Sequence, residues 1–179
     1  CLYIGLGGTG MSALLHTKKM FAETYNGDVP PMIGFLGIDT DGGAYTKSLD
    51  SKYGPISLGE NEKCSIVSNE AKDIYLRQKE KFSWMPKENE NAIVAMHIGA
   101  GQVRTNGRLA FVIRQPQVEV ALASVLNRIQ DAEISTNKDY KLLANNVEIH
   151  VIFSLCGGTG AGTFIDLAYL IRHIAPNCK

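Results

Sequence analysis

The residues in this chain with spacing that suggests chemistry are mainly glycines and threonines, whose contribution is exposed backbone. The stretch "FSLCGGTGAGTFID" (153–166) sets Gly157, Gly158, Gly160 and Gly162, with Thr159 and Thr163, between an apolar run and an apolar-periodic segment. Glycine is a poor former of either element. The cluster therefore points to close backbone approach, or to backbone angles a side chain forbids. A second cluster, "GLGGTG" (5–10), supplies Gly5, Gly7, Gly8 and Gly10, with Thr9 inside it and Ser12 just beyond. A third, "GAG" (99–101), carries Ala100 and Gly101 and leads into Gln102. "DTD" (39–41) ends another apolar run with Asp39 and Asp41. The chemistry that glycine permits at a strand-to-helix turn is anion binding. Backbone N–H groups converge, the helix start adds partial positive charge, and no Cβ holds a phosphate oxygen away. Thr9, Ser12, Thr159 and Thr163 add hydroxyl donors. Plain tight turns would use the same glycines, and a strand-terminal aspartate often only caps a turn.

The elements that must position these loops alternate. Apolar runs at 2–6, 32–41, 93–98 and 147–155 read as strands, and 12–25, 69–82, 117–132 and 164–174 read as helices. Pro116 is placed for the first turn of the third helix. Residues 83–92 and 134–146 read as loops. Short strands alternating with helices predict parallel β-α-β units: an α/β, Rossmann-like, open and mostly parallel sheet with helices on both faces. In such a sheet the carboxyl ends of the strands form the ligand crevice, so all four glycine-rich or acidic loops are expected along one edge. We read 1–179 as a single domain, which the resemblance given below implies is an incomplete nucleotide-binding domain.

Bulk properties exclude some classes. The 179 residues include 18 Lys+Arg and 18 Asp+Glu, a formal net charge of zero. No basic field draws the chain to nucleic acid or to an anionic membrane by bulk electrostatics. No apolar run approaches the ~20 residues of a membrane span. Cys1, Cys64, Cys156 and Cys178 form no CxxC pair, and no His/Cys group has zinc spacing. Free thiols in a reducing, cytoplasmic setting are expected, with His16, His97, His150 and His173 as surface or packed residues and no metal ligands among the side chains. The first residue is not methionine, which reads as a piece of a longer chain.

The kind of phosphate binder is narrowed by what is present. A P-loop needs Gly-Lys-Ser or Gly-Lys-Thr, and neither occurs. Gly5, Gly7 and Gly10 satisfy G-x-G-x-x-G, which leaves an NAD(P)- or ATP-binding enzyme domain open. The acidic residue expected about 20 residues later is late, since Gly10 to Asp39 is 29 positions. That fold also gives no reason for the loop at 157–162.

Four segments in order resemble the tubulin/FtsZ superfamily over nearly the whole chain. "SLCGGTGAG" (154–162) resembles the tubulin hallmark S-L-G-G-G-T-G-S-G, with Cys156 in place of its first glycine. "GLGGTG" resembles the first phosphate loop, "DTD" falls where FtsZ carries Asn-Thr-Asp, and "GAGQVRTNGR" (99–108) resembles the third loop. The 42–92 segment is long for either relative, and the sequence looks like a divergent bacterial member. The resemblance implies a GTP/GDP-binding domain that assembles head to tail into cytoskeletal filaments, with Mg²⁺ held through the phosphates. Carried over, Gly7, Gly8 and Gly10 line the α- and β-phosphates, with Thr9 and Ser12 beside them. Ser154, Gly157, Gly158, Thr159, Gly160 and Gly162 wrap them from the other side. Ala100, Gly101 and Gln102 lie near a γ-phosphate, and Asp39 and Asp41 face the metal, water or ribose. In the family, base recognition and the acidic loop that acts on the neighbour's nucleotide come later than Lys179. GTP hydrolysis is expected of a longer chain and not of this one alone. A module that kept the fold and lost nucleotide is a further alternative, for which Cys156 is the main support.

Overall fold

The computed structural model describes residues 1–134 and 146–176. Strand β1 (Leu2–Leu6) leads directly into helix α1 (Gly7–Thr24), followed by β2 (Gly34–Asp39). An antiparallel hairpin of β3 (Ser48–Ser51) and β4 (Gly54–Ser57) precedes β5 (Lys63–Ser65) and the short helix α2 (Ala71–Arg77). Helix α3 (Arg104–Ile134), β6 (Ile149–Phe153) and α4 (Gly158–Ile174) complete the order. The main sheet runs β5-β2-β1-β6, with every pairing parallel. Every residue of β2 is buried, as expected of a strand covered on both faces.

Alternation along the strands sorts the core into two layers. Leu2, Ile4, Leu6, Leu36 and Ile38 pack with Leu109, Phe111, Val118, Leu122 and Leu167. Phe35 packs with Met11, Leu14 and Leu15 of α1 on the opposite face. The predicted α/β architecture with helices on both faces is therefore present. Its glycines fit the close approaches: a Cβ on Gly37 would stand 2.3 Å from the Met11 sulfur.

Several boundaries differ from the sequence reading. The run 93–98 is not a strand. Ile93 and Met96 are buried while Val94 and Ile98 are exposed, and the segment makes only isolated antiparallel bridges, Asp41 to Ile98 and Ser68 to Met96. The strand beside β2 on its outer side is β5, which the sequence reading did not include and which has one buried apolar residue, Cys64. The predicted helix over 69–82 is α2 alone; its backbone turns out of helix at Gln78 (φ −135°) and resumes as a 3₁₀ turn over Lys79–Phe82. The polar loop 83–92 contains a further 3₁₀ turn, Lys87–Ala92. Helix α3 begins well before 117, so Pro116 lies inside it and not in its first turn. Leu109, Ala110 and Phe111 before the proline and Val118 and Leu122 after it enter one core, and that burial carries the helix through a residue with no N–H to donate. By length and composition α3 could cross a membrane; here Leu109, Phe111, Val118, Leu122, Val125 and Ile129 enter the core, while Val120 is exposed. The loop expected at 134–146 lies almost wholly outside the described residues.

The correction that matters most concerns helix starts. α1 begins at Gly7 and not at 12, and α4 at Gly158 and not at 164. The glycine clusters are the first turns of the helices themselves.

Candidate functional site

Both helix starts open onto one cavity of about 260 Å³ at the carboxyl ends of β1, β2 and β6. The first turn of any α-helix leaves four N–H groups without helical partners. Here Leu6 precedes α1 and Gly157 precedes α4. Neither provides a side-chain cap, and neither helix has an acidic residue in its first turn. Two sets of N–H donors with their helix dipoles therefore converge on the same space.

The local sequence explains how they come so close. Gly7 has φ +68°, the left-handed region that favours glycine, and a Cβ there would meet the Thr159 Cβ at 3.2 Å. A Cβ on Gly160 would stand 2.9 Å from the Phe153 Cβ. Gly8 and Gly157 differ: each lines the cavity, and an added Cβ would meet nothing nearer than the Ser154 carbonyl oxygen at 3.9 Å from Gly157. They leave the walls bare where a ligand would lie.

Asp39 and Asp41 face this cavity from the end of β2. Asp39 is 2% exposed. Its Oδ1 accepts from the Thr40 N–H at 2.7 Å, the Asp41 N–H at 3.3 Å and the Thr159 hydroxyl at 3.3 Å. Its Oδ2 is buried with no hydrogen-bond partner. Burial, with the nearby Asp41 charge, raises the Asp39 pKa above its ordinary value, against the lowering effect of the backbone N–H bonds. Asp41 does cap a turn, its Oδ1 accepting from the Gly43 N–H at 2.8 Å, and it also lines the cavity. The Thr40 and Thr159 hydroxyls lie 2.6 Å apart, linking the loop after β2 to the start of α4 across the end of β1.

The third wall is the loop 98–102, in which Gly99 (φ +105°), Gly101 (φ +61°) and Gln102 (φ +61°) all adopt left-handed angles. It reaches the cavity although no strand precedes it. The buried Asn106 fastens it, donating to the carbonyls of Ala92 at 2.9 Å and Ala100 at 3.3 Å. Arg104 donates to the Leu155 carbonyl at 3.2 Å and joins this loop to the one before α4.

Of the residues singled out from sequence, Gly7, Gly8, Thr9, Asp39 and Asp41 line the cavity, as do Ala100, Gly101, Gln102, Ser154, Gly157, Gly158, Thr159 and Gly160. Gly10, Ser12 and Gly162 do not. A Cβ on Gly10 would stand 2.3 Å from the Ile152 carbonyl oxygen, and one on Gly162 2.2 Å from that of Arg104. These two glycines let α1 approach β6 and α4 approach α3. Ser12 is half-buried on the second turn of α1. Cys156 is exposed and leaves the cavity open; its N–H donates to the Ser154 hydroxyl. Asn106, Thr40 and Tyr45 were not legible as site residues. The Tyr45 hydroxyl accepts from the Asp39 N–H at 2.8 Å and donates to the Cys64 carbonyl at 2.6 Å, which ties the ends of β2 and β5 together. Cys64 itself is buried, and burial pushes its thiol up to about 11, so it is an inert packing residue.

An uncapped pair of helix starts at the end of a parallel sheet makes an α/β arrangement suited to an anion without a P-loop lysine. The family described as "Tubulin like" matches residues 2–179, and the chain belongs to that family. Among solved structures it is similar to CetZ1 from Haloferax volcanii, a GDP-bound monomer, at a TM-score of 0.51 and 15% identity. That match covers 98% of this chain and 38% of the other, so this chain spans well under half the length of that relative. No curated protein matches.

Proposed function

We propose that the cavity binds the phosphates of a guanine nucleotide, as part of a tubulin/FtsZ-type GTPase that assembles head to tail in the cytoplasm. The observation that carries this reading is the convergence of two uncapped helix N-termini on one glycine-walled space. Membership of the tubulin-like family and the likeness to a GDP-bound fold support it. The volume suits the reading: about 260 Å³ lies below the ~300–1,000 Å³ of a site that engulfs a whole ligand. It is a phosphate cradle, with the base lying outside.

The N–H groups of the first turns of α1 and α4 neutralise phosphate charge and hold it in place, as preorganised donors do in a dry site. Thr9 and Thr159 supply hydroxyls. Asp39 Oδ2, a buried oxygen with no partner, and Asp41 offer the hard donors that Mg²⁺ takes together with phosphates. Mg²⁺ so held would neutralise charge between phosphate groups. In the assembled protein, hydrolysis would wait for a carboxylate from a neighbouring subunit, and nucleotide state would bias assembly as a linked equilibrium.

Titration calorimetry with GTP, GDP, ATP and NAD plus Mg²⁺ tests this on the chain and on Gly8→Leu. That side chain enters open space, whereas one at Gly158 would strike the Ala100 Cβ and the Val103 nitrogen, each at 2.9 Å. Mg²⁺-dependent binding of GTP and GDP that is lost in Gly8→Leu is expected, with ATP bound comparably because the base lies outside the cradle. Tighter binding of NAD than of GTP would overturn the assignment. A folded chain that binds nothing at millimolar GTP would mean the fold has been kept without nucleotide.

A further inference from the structure

The opposite edge of the sheet carries a second cluster of chemistry-bearing side chains. Cys1 stands 147 positions before Glu148, so no local spacing joins it to the Glu148–His150 pair. The parallel register does: Leu2 pairs with Ile149 and Tyr3 with His150, and the Leu2 N–H donates to the Glu148 carbonyl. Side chains two apart share a face of a strand, so Glu148 and His150 stand on the same side, next to Cys1. One ligand atom from each lies within 4.8 Å of the others. The His150 Nε2 is 3.8 Å from the Glu148 Oε2, and the Cys1 sulfur is 4.0 Å from the same oxygen.

We infer that Cys1, Glu148 and His150 form a binding site for a borderline-soft divalent cation of the Zn²⁺ type, clasping the edge strand β6 to β1. The donor set is sulfur, imidazole nitrogen and carboxylate oxygen, the three protein ligands zinc takes. Zinc–ligand bonds of ~2.0–2.3 Å at tetrahedral angles put neighbouring donors about 3.4–3.6 Å apart. The Glu148–His150 and Cys1–Glu148 separations of 3.8 and 4.0 Å need to contract by about 0.3–0.5 Å, and the Cys1–His150 separation, which lies within 4.8 Å, by no more than about 1.3 Å. The imidazole is already oriented, since its ring stacks on Tyr3 at 4.9 Å and 15°, and Tyr3 in turn stacks on Phe35 at 5.8 Å. The Cys1 nitrogen is engaged with the Met32 carbonyl at 2.9 Å, so its backbone is held in line with the sheet. Glu148 and His150 are exposed and Cys1 half-buried, which leaves a fourth coordination position facing solvent or a donor from another molecule.

The site is remote from the glycine-lined cavity, which lies at the other ends of the same strands. Its test therefore needs no nucleotide. Co²⁺ is titrated into the metal-free chain and followed by absorption spectroscopy. The expected result is a near-ultraviolet thiolate-to-cobalt band with intense tetrahedral d–d bands, both abolished by stoichiometric Zn²⁺. Cys1→Ser is expected to remove the thiolate band and Cys156→Ser to leave it unchanged. Loss of an outer-shell partner alone weakens a metal site about 10–100-fold, so Cys1→Ser and His150→Ala are each expected to weaken Co²⁺ by at least tenfold. A weak octahedral spectrum with no thiolate band would overturn the assignment. So would affinities in Cys1→Ser and His150→Ala equal to that of the unaltered chain, with circular dichroism confirming that all are folded.

Discussion

A buried carboxylate with one satisfied oxygen and one bare oxygen is costly to the empty protein. Asp39 is such a group. Its pKa lies above the ordinary 3.8, chiefly through burial, so the folded chain holds this proton more tightly than the unfolded chain. The resulting stabilisation is present below pH 3.8 and is lost as pH rises through the folded-state pKa. Asp39→Asn keeps an Oδ1 for the Thr40, Asp41 and Thr159 donors and never ionises. The empty variant is therefore expected to gain stability relative to the parent between pH 3 and pH 7, measured by urea denaturation at both; an equal difference at the two pH values would contradict the account. With Mg²⁺ and GTP present the order is expected to reverse, with affinity lowered at least tenfold. Tyr45→Phe leaves the Asp39 N–H and the Cys64 carbonyl without a partner. It is expected to cost roughly 1–3 kcal/mol and to loosen nucleotide binding only through that loss.

At the scale of elements, the glycines divide by what surrounds them. Gly162 lets α4 lie against α3, and Gly162→Ala is expected to destabilise by about 1–3 kcal/mol through overpacking. Gly8 lies in the first turn of α1 with free space around it. Gly8→Ala is expected to be neutral or to stabilise by up to ~1 kcal/mol, with thermal unfolding separating the two cases. From sequence these residues look alike, because a glycine that admits a ligand and one that admits a helix leave the same letter. The strand–helix alternation, the glycine loops and the acid at the end of β2 were legible, since periodicity and turn chemistry are local. The helix starts were not, because glycine has low helix propensity and these first turns are held by tertiary contact. Neither was β5: "KCS" carries one apolar residue, and pairing with β2 makes it a strand. The more apolar run at 93–98 stays out of the sheet, with four of its six residues, Val94, Ala95, His97 and Ile98, facing outward. Asn106, Tyr45 and the Cys1–His150 juxtaposition depend on partners distant in sequence, which one-dimensional spacing cannot show.

For the whole molecule, balanced charge has a solution consequence. The formal net charge is zero and the sequence pI about 7.1, while Met20, Ile98, Val120 and Tyr169 are exposed by 69–78%. With little net repulsion, such surfaces associate. Solubility of this chain is expected to be lowest near pH 7 and to rise by pH 8.5, as precipitation assays across that range will show. A flat profile would mean that other forces control its solubility.

The Thr40–Thr159 hydrogen bond joins residues 119 positions apart. At ~5–20 residues per second of synthesis, roughly 6–24 s separate the two threonines on the ribosome. During that interval the loop after β2 and the start of α1 wait beside an edge of β1 that β6 has not yet occupied. Of the four segments that line the cavity, the start of α4 is the last to be made. The cavity therefore stays open on the α4 side of a nascent chain until the ribosome has passed Thr159, and any ligand that needs both helix starts has to wait for it.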